Sequence, residues 1–238
     1  MMEERGIDTS RVVISEPDTI QKFRTHALKT IDMYEKTPEQ SRPPVLFIVD
    51  SLGLLSTEKE LADSTEGKDV RDMTKSQLIK GTFRVLTLKL AKIGVPMLVT
   101  NHVYEVIGSY MPQKEMGGGS GLKYAASTIV YLSKKKVRDG TDITGIIIKA
   151  KMYKSRIAKE NAQAEILLTY TKGLDRYYGL LEFGEKHGVF NKAGNRYEIG
   201  DLKLYGKQIL SDPEKYFTEE VMTALDHAAS HEFSYGTG

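Results

Sequence analysis

Apolar residues recur every three or four positions near the start of the chain, which predicts an amphipathic helix. Its apolar face comprises Ile20, Phe23, Ala27, Ile31 and Tyr34. Asp18 or Thr19 is suited to cap the helix at its N-terminus, and the proline-containing segment 37–44 ends it. The next run, VLFIVDS, is apolar on both faces and rich in branched residues. We therefore predict a strand buried between two helix layers.

A polar segment separates this strand from a second apolar pattern. Residues 57–69 (TEKELADSTEGKD) are charged enough and long enough to predict a mobile surface loop. A long helix that ends at Gly94 is predicted next. Its apolar side comprises Met73, Ile79, Phe83, Leu86, Leu90 and Ile93. Residues 95–101 predict a second buried strand. Strand, helix and strand in this order predict a parallel sheet and the α/β class.

The rest of the chain predicts more strands and a second domain. Residues 103–121 contain five glycines and one proline without periodicity, which indicates another long loop. Three further strands are predicted, at 127–132, 144–152 and 165–170. No helical period separates them, so antiparallel pairing is favoured. Because the composition changes after Lys172, we predict a first domain over 1–172 and a small α/β domain over 173–238.

The predicted second domain has three local signals of its own. A short helix is expected at 180–186, a hairpin around 192–195, and a helix from Pro213 to about Ala229.

The composition is that of an ordinary globular protein. Of 238 residues, 40% are hydrophobic and 28% charged, and Lys plus Arg number 34 against 32 Asp plus Glu. This balance neither requires nor excludes a nucleic-acid partner. The absence of cysteine excludes disulfides and Cys-based zinc sites. No apolar stretch has the length of a signal peptide or a membrane span, so we expect a soluble, cytoplasmic protein.

Two predicted strands end in polar residues that could act on a nucleotide. Asp50 ends the first strand, in the form of a Walker B carboxylate that helps to hold magnesium. Thr100, Asn101 and His102 end the second, where a polar side chain could sense a phosphate. Each pattern has a structural alternative, because polar residues at strand ends often cap turns. Both interpretations of Asp50 stay open, and for the second strand end the structural one is favoured.

A glycine-rich stretch and a missing motif bear on phosphate binding. Residues 117–121 (GGGSG) resemble a phosphate-cradling loop, because glycines let backbone amides approach an anion. The sequence nevertheless has no GxxxxGK[ST] motif, since Lys68 is followed by Asp and Lys207 by Gln. These residues therefore include no Walker A P-loop.

The sequence contains two basic clusters, of which the second could contact phosphates. The first comprises Lys134, Lys135, Lys136 and Arg138. It is typical of a solvated surface turn. The second comprises Lys149, Lys151, Lys154 and Arg156. These residues follow a strand and its end, where alternate side chains share a face. Lys154 and Arg156 suit phosphate neutralisation in the manner of an arginine finger, with a row of surface salt bridges as the alternative.

The order of these motifs is more specific than any one of them. The chain contains in succession VLFIVDSLGLL, DMTKSQLIKGTFRVLTLKLAKIGVPMLVTNH, GGGSGLKYAASTIVYL, KSRIAKENAQAEILL and GLDRYYGLLEFGEKHGVFNKAGNRYEI. This order resembles the RecA recombinase family, and the TNH, MGGGSG and KSR elements are most similar to the UvsX-type recombinases of T-even bacteriophages. The resemblance covers about residues 5–226. It implies an incomplete RecA-like P-loop ATPase core, mostly a parallel sheet flanked by helices, with a small C-terminal α/β domain.

The resemblance also implies a nucleotide site. It implies a DNA-dependent ATPase that binds single-stranded DNA, forms filaments and exchanges strands, with ATP and Mg²⁺ between subunits. In that family pattern, Asp50 is the Walker B carboxylate, Ser51 follows it, and His102 couples the nucleotide state to DNA binding. Lys154 and Arg156 match the pair that reaches ATP on the neighbouring subunit.

Two loops match the DNA-binding loops of the family. Residues 57–69 correspond to the first and residues 103–119 to the second. In the second, Tyr110 and Met111 could stack on or wedge between bases. The implied DNA-binding residues are Tyr110, Met111, Lys114, Gly117, Gly118 and Gly119.

The sequence departs from the family pattern at the front of the chain. In the family, the P-loop strand and a strand with a catalytic Glu precede the stretch that matches ERGIDTSRVVISEPDTIQKF. We therefore expect a C-terminal portion that hydrolyses ATP only with an N-terminal P-loop half or a full-length recombinase. The lost strand would leave apolar surface and unpaired strand edges. The alternative is a non-catalytic module that binds DNA or a recombinase, and the KAGNRY hairpin argues against a helicase.

Overall fold

The computed structural model describes residues 3–68, 73–105 and 114–236. The chain divides into two compact units, residues 1–126 and 127–238. Each unit has its own cluster of buried hydrophobic side chains. Within these described ranges, no helix is both long and apolar enough to cross a membrane.

The first unit combines helices with short strands. Its elements are α1 (Ile20–Lys36), β1 (Phe47–Val49), α2 (Glu58–Thr65), α3 (Lys75–Ile93), β2 (Met97–Val99), β3 (Val103–Glu105), β4 (Lys114–Met116) and α4 (Ser120–Ala125). Single 3-10 turns lie at Glu3–Arg5, Thr9–Arg11, Glu39–Ser41 and Leu52–Leu54. The predicted cap of α1 is confirmed, since the Thr19 hydroxyl accepts a hydrogen bond from the Lys22 amide (3.1 Å). Gly94 ends α3 in a left-handed conformation (φ 66°), which favours glycine.

β1 and β2 form the predicted parallel pair, and one face of that pair is open. Phe47, Ile48 and Val49 lie opposite Met97, Leu98 and Val99. The first and third residues of each strand pack on the core that α1 and α3 supply. The middle residues, Ile48 and Leu98, are 63% and 55% exposed. The prediction of strands buried on both faces is therefore wrong, because the helices α1 and α3 cover only one face.

The polar segment predicted as a loop contains the helix α2. The Thr57 hydroxyl accepts a hydrogen bond from the Glu60 amide (3.0 Å), and the Glu60 carboxylate accepts one from the Thr57 amide (3.1 Å). This reciprocal pair is a capping box, which supplies acceptors to amides that a helix start leaves unpaired. The loop prediction for 57–69 is therefore wrong over most of its length.

The glycine-containing segment predicted as a loop also has regular structure. β3 and β4 form an antiparallel pair in which Tyr104 lies opposite Glu115, and α4 follows. The loop prediction for 103–121 is thus wrong at both ends. The predicted DNA-binding residues Tyr110 and Met111 lie outside the described residues.

The second unit begins with an antiparallel sheet. Its strands, in spatial order, are β5 (Thr128–Asp139), β6 (Asp142–Ser155), β7 (Gln163–Thr169) and β8 (Gly173–Leu174). The predicted antiparallel pairing of three strands is confirmed. β5 and β6 extend further than predicted and turn at Gly140 and Thr141. The basic cluster 134–136, predicted as a surface turn, therefore lies within β5.

The end of the chain forms a smaller cluster of helices and strands. Its elements are α5 (Leu180–Lys186), β9 (Asn191–Ala193), β10 (Arg196–Ile199), β11 (Leu202–Leu204), α6 (Gly206–Ser211), α7 (Pro213–Tyr216) and α8 (Glu219–Phe233). The helix and hairpin predicted at 180–186 and 192–195 are confirmed. The long helix predicted from Pro213 is instead two helices, because Phe217 and Thr218 interrupt it. The buried core comprises Leu181, Phe190, Tyr197, Ile209, Phe217 and Leu225. The domain boundary predicted after residue 172 stays a prediction.

Candidate functional site

The carboxyl ends of β1 and β2 bring polar side chains to one edge of the parallel pair. Asp50 follows β1 directly and Thr100 follows β2. The Thr100 hydroxyl donates a hydrogen bond to Asp50 Oδ1 (2.6 Å), and the Thr100 amide donates to the Val49 carbonyl (2.9 Å). These bonds fix the Asp50 carboxylate at the sheet edge where open α/β sheets bind ligands.

Ser51 adds a second oxygen beside Asp50. A cis peptide bond joins the two residues. The Ser51 hydroxyl is buried and has no hydrogen-bond partner among the described residues. Since buried hydroxyls in proteins nearly always have a partner, this oxygen is suited to a ligand.

The donor set at this edge fits magnesium as a partial site. Mg²⁺ takes oxygen ligands, and in nucleotide sites one or two carboxylates hold it together with phosphates and water. Asp50 and Ser51 supply a carboxylate and a hydroxyl of that kind. Over residues 3–68, 73–105 and 114–236, no group of three or more His, Cys, Asp or Glu forms a complete metal site.

Asn101 and His102 connect this edge to the glycine-rich segment. The Asn101 amide group donates to the Gly117 carbonyl (2.7 Å), and the Gly117 amide donates to the His102 carbonyl (3.1 Å). A Cβ at Gly53 would lie 2.8 Å from His102 Cδ2, so only glycine admits the imidazole ring there. The sequence pattern did not predict that Asn101 bonds to Gly117. The available signal was its place beside Thr100 and His102 at a predicted strand end.

Gly118 and Gly119 pack closely against α3, whereas Gly117 lies against Tyr104 and Asn101. Gly118 and Gly119 have φ of 92° and 74°, a region that favours glycine. A Cβ on Gly118 would lie 3.2 Å from Ile79 Cδ1, and one on Gly119 would lie 3.3 Å from Ser76 Cβ. Close packing thus accounts for these glycines. Contact with DNA by Lys114 and by Gly117, Gly118 and Gly119 stays a prediction.

Lys154 and Arg156 belong to the second unit and lie at the end of β6. Lys154 is opposite Ile129 in the sheet, and Arg156 is one residue beyond the strand. Ser155 between them is buried, whereas Arg156 is exposed. The Arg156 side chain has no hydrogen-bond or ion-pair partner within the part of the chain that the structure describes. It is therefore available to an anion from outside the unit.

A basic face with stacked tyrosines covers part of the β5–β6 pair. Lys149, Lys151 and Tyr153 alternate along β6 and so share a face, and Tyr131 lies opposite Lys151. The rings of Tyr131 and Tyr153 stack with centroids 4.8 Å apart. Sequence analysis predicted the two lysines but missed the tyrosines, which the same alternation could have revealed.

A sequence profile of the family described as RecA N-terminal domain matches residues 1–175. The chain belongs to the RecA family. It is 30% identical over 194 residues to the recombination and repair protein of Enterobacteria phage T4, covering 82% of this chain and 48% of that protein. It is 29% identical over 221 residues to Protein RecA of Clavibacter michiganensis subsp. michiganensis, covering 88% and 57%. The predicted membership of the RecA family is therefore confirmed.

The chain spans about half the length of the first two relatives and 63% of Protein RecA from Mesomycoplasma hyopneumoniae. Among solved structures, it is similar to the crystal structure of the RadB recombinase, with a TM-score of 0.46 and 20% identity. That match covers 73% of this chain and 69% of the other. The predicted α/β class is confirmed by the parallel β1–β2 pair and its helices.

Proposed function

We propose that this RecA-family chain is the DNA-binding and nucleotide-sensing part of an ATP-dependent recombinase. The proposal rests on the hydrogen bonds that connect the residues at the carboxyl ends of β1 and β2. Asp50 and Ser51 would help to hold Mg²⁺ on ATP, and Thr100 bonds to Asp50 from the neighbouring strand. Asn101 and His102 then join that edge to Gly117 by two hydrogen bonds. A change at the nucleotide would therefore shift the glycine segment that precedes α4.

Lys154 and Arg156 would act on the nucleotide of a neighbouring subunit. Phosphoryl transfer needs cations that neutralise charge as it develops on the phosphate oxygens. Arg156 is exposed just beyond a strand end and has no partner among the residues described. This availability supports a role in trans, in which ATP binds between subunits of a filament.

Single-stranded DNA would contact the loop and the basic face. Lysines neutralise backbone phosphates, and aromatic rings stack on bases with little sequence preference. Lys149, Lys151 and the stacked pair Tyr131 and Tyr153 supply both kinds of group on one face of the sheet. The predicted loop contacts at Tyr110, Met111 and Lys114 would add to them.

The exposed apolar face of the β1–β2 pair favours a partner that carries a P-loop. The sequence has no GxxxxGK[ST] motif, so the triphosphate contacts of an ATPase must come from elsewhere. Ile48 and Leu98 are exposed on β1 and β2, and Val13 is 97% exposed in the irregular segment before α1. An N-terminal P-loop segment, or a full-length recombinase, would cover this apolar surface and pair with the strand edges.

The test is to reconstitute the ATPase. The chain is co-expressed with a P-loop segment from the phage T4 relative, and DNA-stimulated ATP hydrolysis and strand exchange are measured. We expect activity from the pair and none from either piece. Arg156→Ala and Lys154→Ala should each lower kcat on the order of 10³-fold, because they remove charge stabilisation of the transferring phosphate.

Arg138→Ala is the matched control, since Arg138 is an exposed arginine of β5 with no assigned role. It should leave kcat unchanged. A pair that co-purifies and folds but does not hydrolyse ATP would contradict the proposal. Equal loss of activity in the Arg138 control would show that the effect is not specific to Lys154 and Arg156.

A non-catalytic module that binds DNA or a recombinase is the second candidate. The observation that favours it is that the basic and aromatic face lies entirely within the second unit and needs no nucleotide. Binding of a fluorescent single-stranded oligonucleotide by the chain alone should then weaken steeply with salt. Absence of binding at low salt would exclude this candidate.

A further inference from the structure

The turn after β6 holds the backbone on both sides of Arg156. The buried Ser155 hydroxyl accepts hydrogen bonds from the amides of Ile157 (3.1 Å) and Ala158 (2.9 Å). The Arg156 amide donates to the Ser127 carbonyl (3.2 Å), next to the start of β5. The Arg156 side chain itself is exposed. Its position therefore depends on how firmly this turn is held.

The C-terminal end of α8 contacts the same turn. The Lys159 amide donates to the Phe233 carbonyl (2.7 Å), and the Lys159 ammonium group donates to the His231 carbonyl (3.4 Å). Ala158 and Ser234 form an isolated antiparallel bridge. The last carbonyls of a helix lack donors within the helix, and cations are favourable beside them. The turn thus supplies donors that the end of α8 requires.

α5 anchors this end of α8. Both carboxylate oxygens of Glu232 accept hydrogen bonds from Lys186 Nζ (2.7 Å), and Glu232 also pairs with the His187 imidazole. The Lys186 ammonium group is the main cause that holds the pKa of Glu232 below its ordinary value of 4.5, so Glu232 is ionised at neutral pH. The rings of Phe183 and Phe233 stack with centroids 6.1 Å apart. These contacts connect the turn after β6 to α5 through the last residues of α8.

We propose that Glu232 and Phe233 are positioning residues for Lys154 and Arg156. They fix the turn 157–159, and through it the strand end that carries the two cations. This inference rests on the proposed role of Lys154 and Arg156 at a neighbouring nucleotide. Cations stabilise a transferring phosphate only when they are held in the reactive geometry, so a looser turn lowers the rate.

Hydrogen exchange of the 238-residue chain tests the contact without any activity. The variants are Glu232→Gln and a chain that ends at His231. The matched control is Asp226→Asn, which replaces an exposed carboxylate of α8 that has no ion pair among the described residues. In the shortened chain, the Lys159 amide should exchange at least about ten-fold faster, because its Phe233 acceptor is gone, and the amides of Ile157 and Ala158 should also exchange faster because the turn is held less firmly.

Glu232→Gln should give a smaller increase at the same amides, and Asp226→Asn should give none. Unchanged exchange at 157–159 in a folded shortened chain would overturn the proposal. If the shortened chain loses its helical circular dichroism, the Glu232→Gln variant alone tests the proposal. Unchanged exchange at amides 157–159 in that variant would then overturn the proposal.

A double-mutant cycle in the reconstituted ATPase separates positioning from general stability. Glu232→Gln should lower kcat about three- to ten-fold, and its effect should be smaller in an Arg156→Ala background, where only Lys154 remains to be positioned. An equal loss in both backgrounds would overturn positioning through Arg156. If Arg156→Ala itself leaves kcat unchanged, the proposed function fails, whereas hydrogen exchange still reports on the contact between α8 and the turn.

Discussion

Several glycines of the first unit lie where a single methyl group decides the packing. A Cβ on Gly53 would collide with the His102 ring, and a Cβ on Gly121 would lie 2.5 Å from Lys80 Cβ. The second contact joins α4 to α3, and it involves the base of the Lys80 side chain and its Cα (3.0 Å), which cannot rotate away. A Cβ on Gly81, the next residue of α3 after Lys80, would meet no other side chain or backbone atom within 4 Å.

Gly121→Ala is therefore expected to destabilise the first unit. The added methyl group forces α4 away from α3, and overpacking of this kind costs about 1–3 kcal/mol of unfolding free energy. Urea unfolding followed by far-ultraviolet circular dichroism measures the change.

Gly81→Ala is the matched control in the same region. It should raise the unfolding free energy by about 0.5–1 kcal/mol, because alanine is favoured over glycine inside a helix and meets no neighbour there. A Gly121→Ala variant as stable as the Gly81→Ala variant would contradict the close packing of α4 on α3.

At the scale of elements, the start of α2 shows how much a cap contributes. The Thr57 side chain is fully buried and accepts one bond of the capping box, while the Thr57 amide donates the other to Glu60. Thr57→Ala should lower the unfolding free energy by about 1–2 kcal/mol, since it leaves an amide of the first turn unpaired. Thr65→Ala, at the exposed end of the same helix, should change it by less than about 0.5 kcal/mol. Thermal or urea unfolding of both variants measures the difference, and equal effects would exclude a dominant role for the cap.

The same helix shows what sequence patterns could and could not predict. α1 and α3 were predictable because each buries a stripe of apolar residues at helical spacing. α2 has no buried residue, so its only signal was the Thr57-x-x-Glu60 cap. β3 and β4 are three residues each and pair across a segment that carries no alternation.

Residue types predicted part of the candidate site, and contacts between distant segments supplied the rest. The strand ends placed Asp50 and His102 at one sheet edge because β1 and β2 are parallel. The bond from Asn101 to Gly117 joins residues 16 apart, and no local pattern encodes it. The same applies to the contact between Lys159 and Phe233, which depends on where α8 ends.

At the scale of the whole molecule, the residues of the proposed nucleotide site fall into two groups. Asp50, Ser51 and His102 belong to the first unit, and Lys154 and Arg156 belong to the second. In the proposed recombinase, the first group acts on the nucleotide of its own subunit and the second on that of a neighbour. Neither group includes the lysine and amides of a P-loop, which make most contacts to a triphosphate.

Magnesium-ATP should therefore leave the melting temperature of the 238-residue chain unchanged. A ligand that binds only the folded state at 100 times its Kd adds about 2.7 kcal/mol, which would raise Tm by several degrees in a chain of this size. Differential scanning fluorimetry with millimolar magnesium-ATP, and with magnesium chloride alone as control, measures the shift. Together with the P-loop segment, the same nucleotide should raise Tm by at least about 4 °C. A comparable rise for the chain alone would mean that Asp50, Ser51 and the glycine segment bind a triphosphate without a P-loop.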